Sequence, residues 1–236
     1  MRILKALLAG AALLVTGYAQ ADVTETITAI SDYDFRGISL TARDPALQGG
    51  LDYVHDSGFS AGVWGSNVDF GDCCDENIEV DYYLGYDWGT EESTQWGVYA
   101  TYYTYPGAES DGASLDYAEV NVGGTYQWFN AKLWYAWDYG NLAEDGYYAD
   151  LNGTFELPKD FGLVTHVGYS FGSYWSDIVS DEYFDYSVGV TKSLGHFDLA
   201  MRFIDGSDLK DDGVDANSTD AKVVFSVATT FPWSSE

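Results

Sequence analysis

The stretch Lys222-Val-Val-Phe-Ser-Val-Ala-Thr-Thr-Phe231 alternates in character from one residue to the next. Its odd-numbered positions hold Val, Phe, Val, Thr and Phe, whereas its even-numbered positions hold Lys, Val, Ser, Ala and Thr. Successive side chains of a β-strand point to opposite faces, so a period of two is the signature of a strand. This stretch therefore predicts a strand with one strongly apolar face.

The same alternation recurs throughout the chain, and no segment with a helical period stands out. Phe197, Leu199, Met201 and Phe203 share one parity, for example, and more polar residues lie between them. About twelve such segments are predicted. They lie near residues 22–31, 45–56, 58–69, 77–89, 93–105, 114–128, 130–138, 146–157, 160–172, 182–194, 196–204 and 219–231.

Short and long connections alternate between these segments. The short ones are Asp56-Ser57-Gly58, Gly89-Thr90-Glu91-Glu92, Trp128-Phe129-Asn130, Pro158-Lys159-Asp160 and Leu194-Gly195-His196. The longer ones are 32–44, 70–76, 106–113, 139–145, 173–181 and 205–218. Outer-membrane barrels have short periplasmic turns and longer extracellular loops, which produces this alternation. A soluble β-sandwich gives no reason for it.

The composition narrows the class of protein. Aromatic residues make up 17% of the chain, which excludes a disordered acidic protein, because disordered segments are poor in aromatics. The formal net charge of −28 excludes a nucleic-acid-binding surface, which needs a basic footprint. Only two cysteines occur, so the chain is not a small domain held together by disulfides.

The N-terminus has the features of a secretory signal peptide. Arg2 and Lys5 precede a short apolar run, and Ala19-Gln20-Ala21 provides small residues for cleavage. The apolar run is shorter than the ~20 residues that a spanning helix needs. We expect residues 1–21 to be removed and residues 22–236 to form a single domain.

Aromatic residues cluster at both ends of the predicted strands, as in the interfacial girdles of a membrane barrel. At the ends beside the short turns these are Trp88, Trp96, Trp128, Phe161, Phe197, Phe231 and Trp233. At the ends beside the long loops they are Tyr102, Tyr103, Tyr105, Trp137, Tyr139, Tyr147, Tyr169 and Phe171. We therefore predict an all-β fold, an antiparallel up-and-down transmembrane β-barrel of about twelve strands in the outer membrane of a Gram-negative bacterium. Its expected partners are outer-membrane lipid, lipopolysaccharide and the barrel assembly machinery.

Three blocks in the first part of the chain are distinctive: 31–39 (SDYDFRGIS), 45–53 (PALQGGLDY) and 62–70 (GVWGSNVDF). The run Ile78-Glu-Val-Asp-Tyr-Tyr83 follows them. These blocks resemble the TorF-type porin family of exported proteobacterial proteins, and the resemblance implies an outer-membrane barrel that forms a pore. The chain departs from that pattern in its Cys73-Cys74 pair and in its continuation beyond Phe231.

Charged residues that the alternation points inward are candidates for the lining of a pore. They are Glu79, Asp81, Asp87, Glu119, Lys132, Asp150, His166, Asp185, Lys192, Asp198, Arg202 and Lys222. Charged rings select ions by sign, and the acidic excess predicts a preference for cations or zwitterions. The alternative is that these groups pair across a filled barrel. Barrels of about eight strands are filled and those of about sixteen hold an aqueous channel, so twelve leaves both options open.

Arg36 is the candidate for a constriction. It lies in the first long loop, where Arg43 is the other cation, and it could fold inward to pair with carboxylates of the wall. The alternative is a loop that packs for stability alone.

Two further features have less specific interpretations. Cys73 and Cys74 could form a vicinal disulfide in an oxidising compartment or remain as thiols. A metal site would need further Cys or His ligands, and no histidine lies in that loop. The run Asp208 to Asp215 could bind divalent cations, but it lacks EF-hand spacing and fits a solvated acidic loop.

We predict no catalytic activity and no cofactor. Of the three histidines, the predicted topology puts His55 and His196 at short turns and His166 in mid-strand, away from the outer rim. The predicted function is passive diffusion of small polar or cationic solutes. The rivals are a non-conducting structural or adhesive barrel whose acidic loops bind partners or divalent cations, and a soluble periplasmic β-protein that binds a ligand.

Overall fold

The computed structural model describes residues 22–71, 77–90, 93–110, 113–179, 182–207 and 220–233. Its strands are β1 Asp22–Ile30, β2 Asp34–Phe35, β3 Ile38–Ser39, β4 Ala46–Val54, β5 Phe59–Asn67, β6 Ile78–Trp88, β7 Gln95–Thr104, β8 Glu109–Ser110, β9 Ala113–Ser114, β10 Tyr117–Tyr126, β11 Phe129–Ala136, β12 Gly146–Leu157, β13 Phe161–Phe171, β14 Tyr183–Leu194, β15 Phe197–Gly206 and β16 Lys222–Phe231. Among the residues described, no helix has both the length and the apolar character that crossing a membrane requires.

The twelve long strands form one closed antiparallel barrel, as the alternation predicts. Each strand pairs with its neighbours in the chain, and β1 closes the barrel on β16 through pairs such as Glu25 with Phe231. Closure leaves no free sheet edge, so the strands satisfy their own backbone hydrogen bonds without water, as a membrane requires.

The outward face of the barrel is apolar and exposed. Leu84 and Phe225 are 56% and 55% exposed, which would be costly in water over so large an area but suits contact with lipid. Exposed aromatics of this face lie toward the two ends of the strands, at Trp88, Trp96, Tyr102, Trp128, Phe129, Trp137, Phe161, Phe184 and Phe197.

The two ends of the barrel differ in their connections. We call the end with short connections, such as 55–58 and 195–196, the turn end, and the opposite end the loop end. The long connections have structure that periodicity did not predict: the hairpins β2–β3 and β8–β9, a 3-10 turn at Tyr139–Asn141 and a π-helical turn at Tyr174–Val179.

A buried aromatic cluster fills the loop end of the barrel. It includes Tyr33, Tyr103, Tyr105, Tyr117, Tyr139, Trp175 and Tyr183. Ring contacts connect it: Tyr117 stacks on Tyr103 and packs at a tilt against Tyr139, with ring centroids 4.7 Å apart in each case. The assignment of Tyr103, Tyr105 and Tyr139 to a lipid-facing girdle is therefore wrong, because these rings pack inside the barrel.

Candidate functional site

The inward face of each barrel strand follows from the cross-strand pairs, because directly paired residues share a face. The structure places eleven of the candidate lining residues on this face. They are Glu79, Asp81, Asp87, Glu119, Lys132, Asp150, His166, Asp185, Asp198, Arg202 and Lys222.

Lys192 is the exception, and its assignment to the lumen is wrong. It pairs with Phe161 and with Leu199 on the outward face of the sheet. Its ammonium group donates to the carbonyl of Lys159, lies 3.5 Å from Asp160 and sits 4.8 Å from the centre of the Phe161 ring. Lys192 therefore belongs to the outer rim of the turn end.

The first long loop, residues 31–45, folds into the lumen, and we call it the inner loop. Its hairpin β2–β3 turns at Arg36 and Gly37, whose φ angles of 55° and 84° are both left-handed, as a two-residue type I′ turn requires. The tip lies against the wall: a Cβ on Gly37 would be 2.6 Å from the Cβ of Asp185. Only glycine fits there.

Arg36 connects the tip of the inner loop to the barrel wall. Its Nη2 donates to Oε2 of Glu119 at 2.6 Å, and Tyr183 donates its hydroxyl hydrogen to the carbonyl of Arg36 at 2.8 Å. Tyr103 donates to the same Glu119 oxygen at 3.1 Å. Burial alone would lower the pKa of Arg36, but the Glu119 carboxylate outweighs it and raises that pKa well above its ordinary value.

Aromatic rings surround the guanidinium of Arg36. Its Cζ lies 4.7 Å from the ring centre of Phe35, 5.3 Å from that of Trp134 and 4.5 Å from that of Tyr148. Cations within about 6 Å of a ring centre are attracted by the ring quadrupole. We call the wall residues Glu119, Trp134 and Tyr148 the arginine cage.

A second anchor holds the base of the inner loop. Lys222 of β16 lies 2.8 Å from Asp34 and 3.3 Å from Asp32. Ser39 donates to Oδ1 of Asp32 at 2.6 Å and Thr41 donates to it at 3.2 Å, so the loop also braces itself. Burial raises the pKa of Asp34, and Lys222 offsets this only in part.

A hydrogen-bonded network lines the wall beneath the loop tip. His166 contacts Asp185 through Nε2 and Asn152 through Nδ1, each at 2.7 Å. Asn152 donates to Asp150 at 2.6 Å, and Trp134 donates to Asp150 at 2.8 Å. This network fixes the orientation of rings that face the lumen.

The opposite wall is acidic, and some of its carboxylate oxygens have no hydrogen-bond partner among the described residues. Glu79 and Asp81 are buried; Tyr105 donates to Oε1 of Glu79 at 3.0 Å, while Oε2 of Glu79 and Oδ1 of Asp81 have no hydrogen-bond partner among the described residues. Over the same residues, no group of three or more His, Cys, Asp or Glu side chains is placed to hold a metal ion.

The turn-end half of the lumen is more open. Asp87 accepts a hydrogen bond from Tyr99, and Ser193 donates to Asp198 at 2.5 Å. Lys132 and Arg202 form no ion pair with any residue that the structure describes. Charged groups here are half-buried or exposed, in contrast to those beside the inner loop.

Sequence reasoning missed the aromatic members of this site. Trp134 and Tyr148 share the inward parity of Lys132 and Asp150, so the same alternation that selected the charged residues also contained them. Cys73, Cys74 and the acidic run 208–215 lie outside the described residues.

Comparisons with solved structures find other barrels. The "KdgM porin" superposes with a TM-score of 0.54 at 8% identity, over 90% of this chain and 99% of that one. The "KdgM porin in complex with disordered oligogalacturonate" has the same TM-score and identity, over 92% and 100%. A chain from a study of in-meso crystallization of membrane proteins gives 0.52 at 10% identity, over 88% and 83%. At such identities the likeness shows a shared fold.

No curated protein matches the chain. A sequence model described as "Bacterial protein of unknown function (Gcw_chp)" matches residues 15–231, which is nearly the whole chain. The chain therefore belongs to the Gcw_chp family of bacterial proteins of unknown function.

Proposed function

We propose that this protein is an outer-membrane porin of the TorF type, through which small polar or cationic solutes diffuse passively. One observation carries the proposal: a closed barrel with an apolar outer face encloses a lumen lined by charged side chains. A barrel that only anchors a surface domain has no need of so many ionisable groups inside, where each costs solvation energy. The resemblance in the first three sequence blocks supports the same class.

The proposed location is the outer membrane of a Gram-negative bacterium, reached by a signal peptide cleaved after Ala21. The barrel supports this location because only closed barrels and helices satisfy their backbone in lipid. In this orientation the loop end faces outward and the turn end faces the periplasm. Lipid and lipopolysaccharide then surround the apolar face, and divalent cations could screen the acidic loops.

The charge distribution supports cationic solutes. The inward faces of β1, β4, β5, β6, β7 and β10 contain no Lys, Arg or His. The same faces carry the carboxylates of Asp52, Glu79, Asp81, Asp87 and Glu119. Positive side chains of the lumen wall lie on the other strands, and Lys222 is engaged by the inner loop. Glu119 is paired with Arg36, but the other four carboxylates form no ion pair with a residue that the structure describes, so a cation that crosses the lumen meets unpaired acidic groups along one wall.

The position of the inner loop supports the proposal that Arg36 is part of a constriction in the lumen. It occupies the loop-end half of the lumen, where Arg36 contacts Glu119 and Lys222 contacts Asp34. Loops that fold into a barrel reduce its free cross-section, so we propose that this loop limits the size of solutes. No catalytic step or cofactor is part of the proposal.

Planar-bilayer recording of the refolded mature chain tests the proposed function. We expect stable ohmic steps, with a reversal potential in a salt gradient that reports cation selectivity. The double variant Glu79→Gln/Asp81→Asn should conduct with weaker selectivity, whereas Glu25→Gln, on the outward face, should not change it. Anion selectivity, or selectivity unchanged in the double variant, would contradict the proposal.

A second candidate is a non-conducting surface barrel, and the packing of the loop end favours it. Tyr33, Tyr103, Tyr117 and Tyr183 are at most 6% exposed there, as in a protein core. Electrical silence from a folded, heat-modifiable barrel would support this candidate and exclude transport. The acidic loops would then be tested for binding to divalent cations and to lipopolysaccharide.

A further inference from the structure

We propose that the arginine cage is a binding site for the guanidinium or alkylammonium group of a solute, and that Arg36 occupies it as an intramolecular stand-in. The inference deepens the proposed function, on which it rests for the statement that the bound group belongs to a transported solute. The binding itself is independent of conduction.

The cage belongs to the barrel wall rather than to the loop. Glu119 lies on β10, Trp134 on β11 and Tyr148 on β12, three consecutive strands that pair in regular register. Phe35 is the loop's own contribution to the rings around Arg36. A carboxylate next to two ring faces is the chemistry that recognises organic cations, because it combines an ion pair with cation–π attraction.

Neighbouring wall residues hold each member of the cage in place. Tyr103 donates to Glu119, and Asp150 accepts from the indole nitrogen of Trp134. Tyr148 donates to Asp185 at 3.0 Å. None of these partners belongs to the inner loop, so the cage keeps its shape when Arg36 leaves. Such preorganisation lowers the cost of binding an external cation.

Arg36 fits the cage imperfectly, which makes it exchangeable. Its buried Nη1 has no hydrogen-bond partner among the residues described, so the cage leaves one donor group of the guanidinium unsatisfied. The loop is also held at its base by Lys222, so the arginine side chain can leave the cage while the loop remains attached.

The site requires a positive charge. The Glu119 side chain is fully buried, and its Oε1 has no hydrogen-bond partner in the described part of the chain. Without Arg36, this carboxylate would be buried without a counter-charge, which is strongly unfavourable. A cation that replaces Arg36 restores the pair, whereas a neutral molecule of the same shape does not.

The test is calorimetric titration of the refolded full-length mature barrel with methylguanidinium, and with methylurea as a neutral molecule of nearly the same shape. The variant Arg36→Gly empties the cage, and glycine accepts the left-handed backbone. We expect it to bind methylguanidinium at least about tenfold more tightly than the wild type, whose tethered arginine competes at a high effective concentration. Methylurea should not bind.

Two further variants complete the test. Arg202→Ala removes another inward arginine that lies outside the cage, so it should bind methylguanidinium no better than the wild type. Arg36→Gly/Glu119→Gln should lose about tenfold or more of the affinity of Arg36→Gly, because its carboxylate is gone. If Arg36→Gly misfolds, the wild type remains testable: millimolar methylguanidinium, but not methylurea, should shift the indole NMR signal of Trp134.

Equal binding of methylguanidinium and methylurea would overturn the inference, as would equal affinity in the wild type and Arg36→Gly. An unshifted Trp134 signal in the wild type would also overturn it. Binding in a barrel that does not conduct would support the cage while the proposed function fails. Conduction without binding would support the proposed function while the inference about the cage fails. The two failures are therefore distinguishable.

Discussion

The two halves of the lumen are built from the same strands, but their charged side chains are buried in one half and half-buried or exposed to solvent in the other. In the loop-end half, Glu79 and Glu119 are 0% and 1% exposed, and the inner loop packs beside them. In the turn-end half, Asp87 on the same strand as Glu79 and Glu156 on β12 are exposed to solvent. One half resembles the interior of a protein and the other a water-filled vestibule.

This contrast shows that a strand pattern does not fix the environment of its inward residues. Alternation places a carboxylate inside, but the connection that folds over it decides whether that carboxylate needs a partner. A buried charge is tolerated only when it is paired, whereas a solvated one gains little from pairing. The inner loop provides the partner for Glu119, whereas Asp87 and Glu156 are exposed to solvent.

The largest expected effect comes from breaking the buried ion pair. Glu119→Gln leaves Arg36 buried without its counter-charge, so the free energy of unfolding should fall by about 3–5 kcal/mol. The matched substitution Glu156→Gln in the turn-end half should change it by less than about 0.5 kcal/mol. Urea unfolding of both variants in lipid vesicles measures the difference. Similar losses would show that the two halves do not differ as described.

A smaller effect is expected from a single hydroxyl. Tyr183→Phe removes the donor to the buried carbonyl of Arg36 and should cost about 1–3 kcal/mol. Tyr186→Phe, on the outward face of the same strand, removes an exposed hydrogen bond to Asp205 and should cost less than about 0.5 kcal/mol. The same urea titration compares them. A larger loss for Tyr186→Phe would contradict the docked position of the inner loop.

The smallest effect is a change in pH dependence. Because burial raises the pKa of Asp34, the folded protein binds this proton more readily than the unfolded chain does. The stability that this proton contributes is fully present at pH values below the ordinary aspartate pKa of about 3.9, and it is lost as the pH rises through the raised pKa of Asp34. On acidification from neutral pH, the free energy of unfolding of Asp34→Asn should therefore rise less, relative to its value at neutral pH, than that of the wild type. Parallel pH profiles of the unfolding midpoint would refute this.

The fold could be predicted because its signal is local and repeated. Period-two alternation specifies each strand, and the alternation of short and long connections specifies how the strands join. The same rule applies to Lys192, which lies seven residues from Asp185: residues an odd number apart in a regular strand face opposite sides of the sheet. Tyr186, Val188 and Val190 of β14 face outward, and the parity of the strand puts Lys192 on the same face.

The arrangement of the loops could not be predicted in the same way. Strands β2 and β3 are two residues each, too short to show a period. The inward fold of Arg36 depends on contacts with Glu119 and Tyr183, which lie 83 and 147 residues away in the chain. The buried aromatics Tyr103 and Tyr139 resemble interfacial girdle residues in composition, and only the three-dimensional packing separates the two roles.

The most direct test of the account is the single-channel conductance of the wild type beside a variant whose residues 33–41 are replaced by glycine and serine. If the inner loop closes the loop-end half of the lumen, the variant should conduct several times more than the wild type and keep its cation selectivity. Equal conductance of the two proteins, or silence from both when folded in the bilayer, would contradict the account.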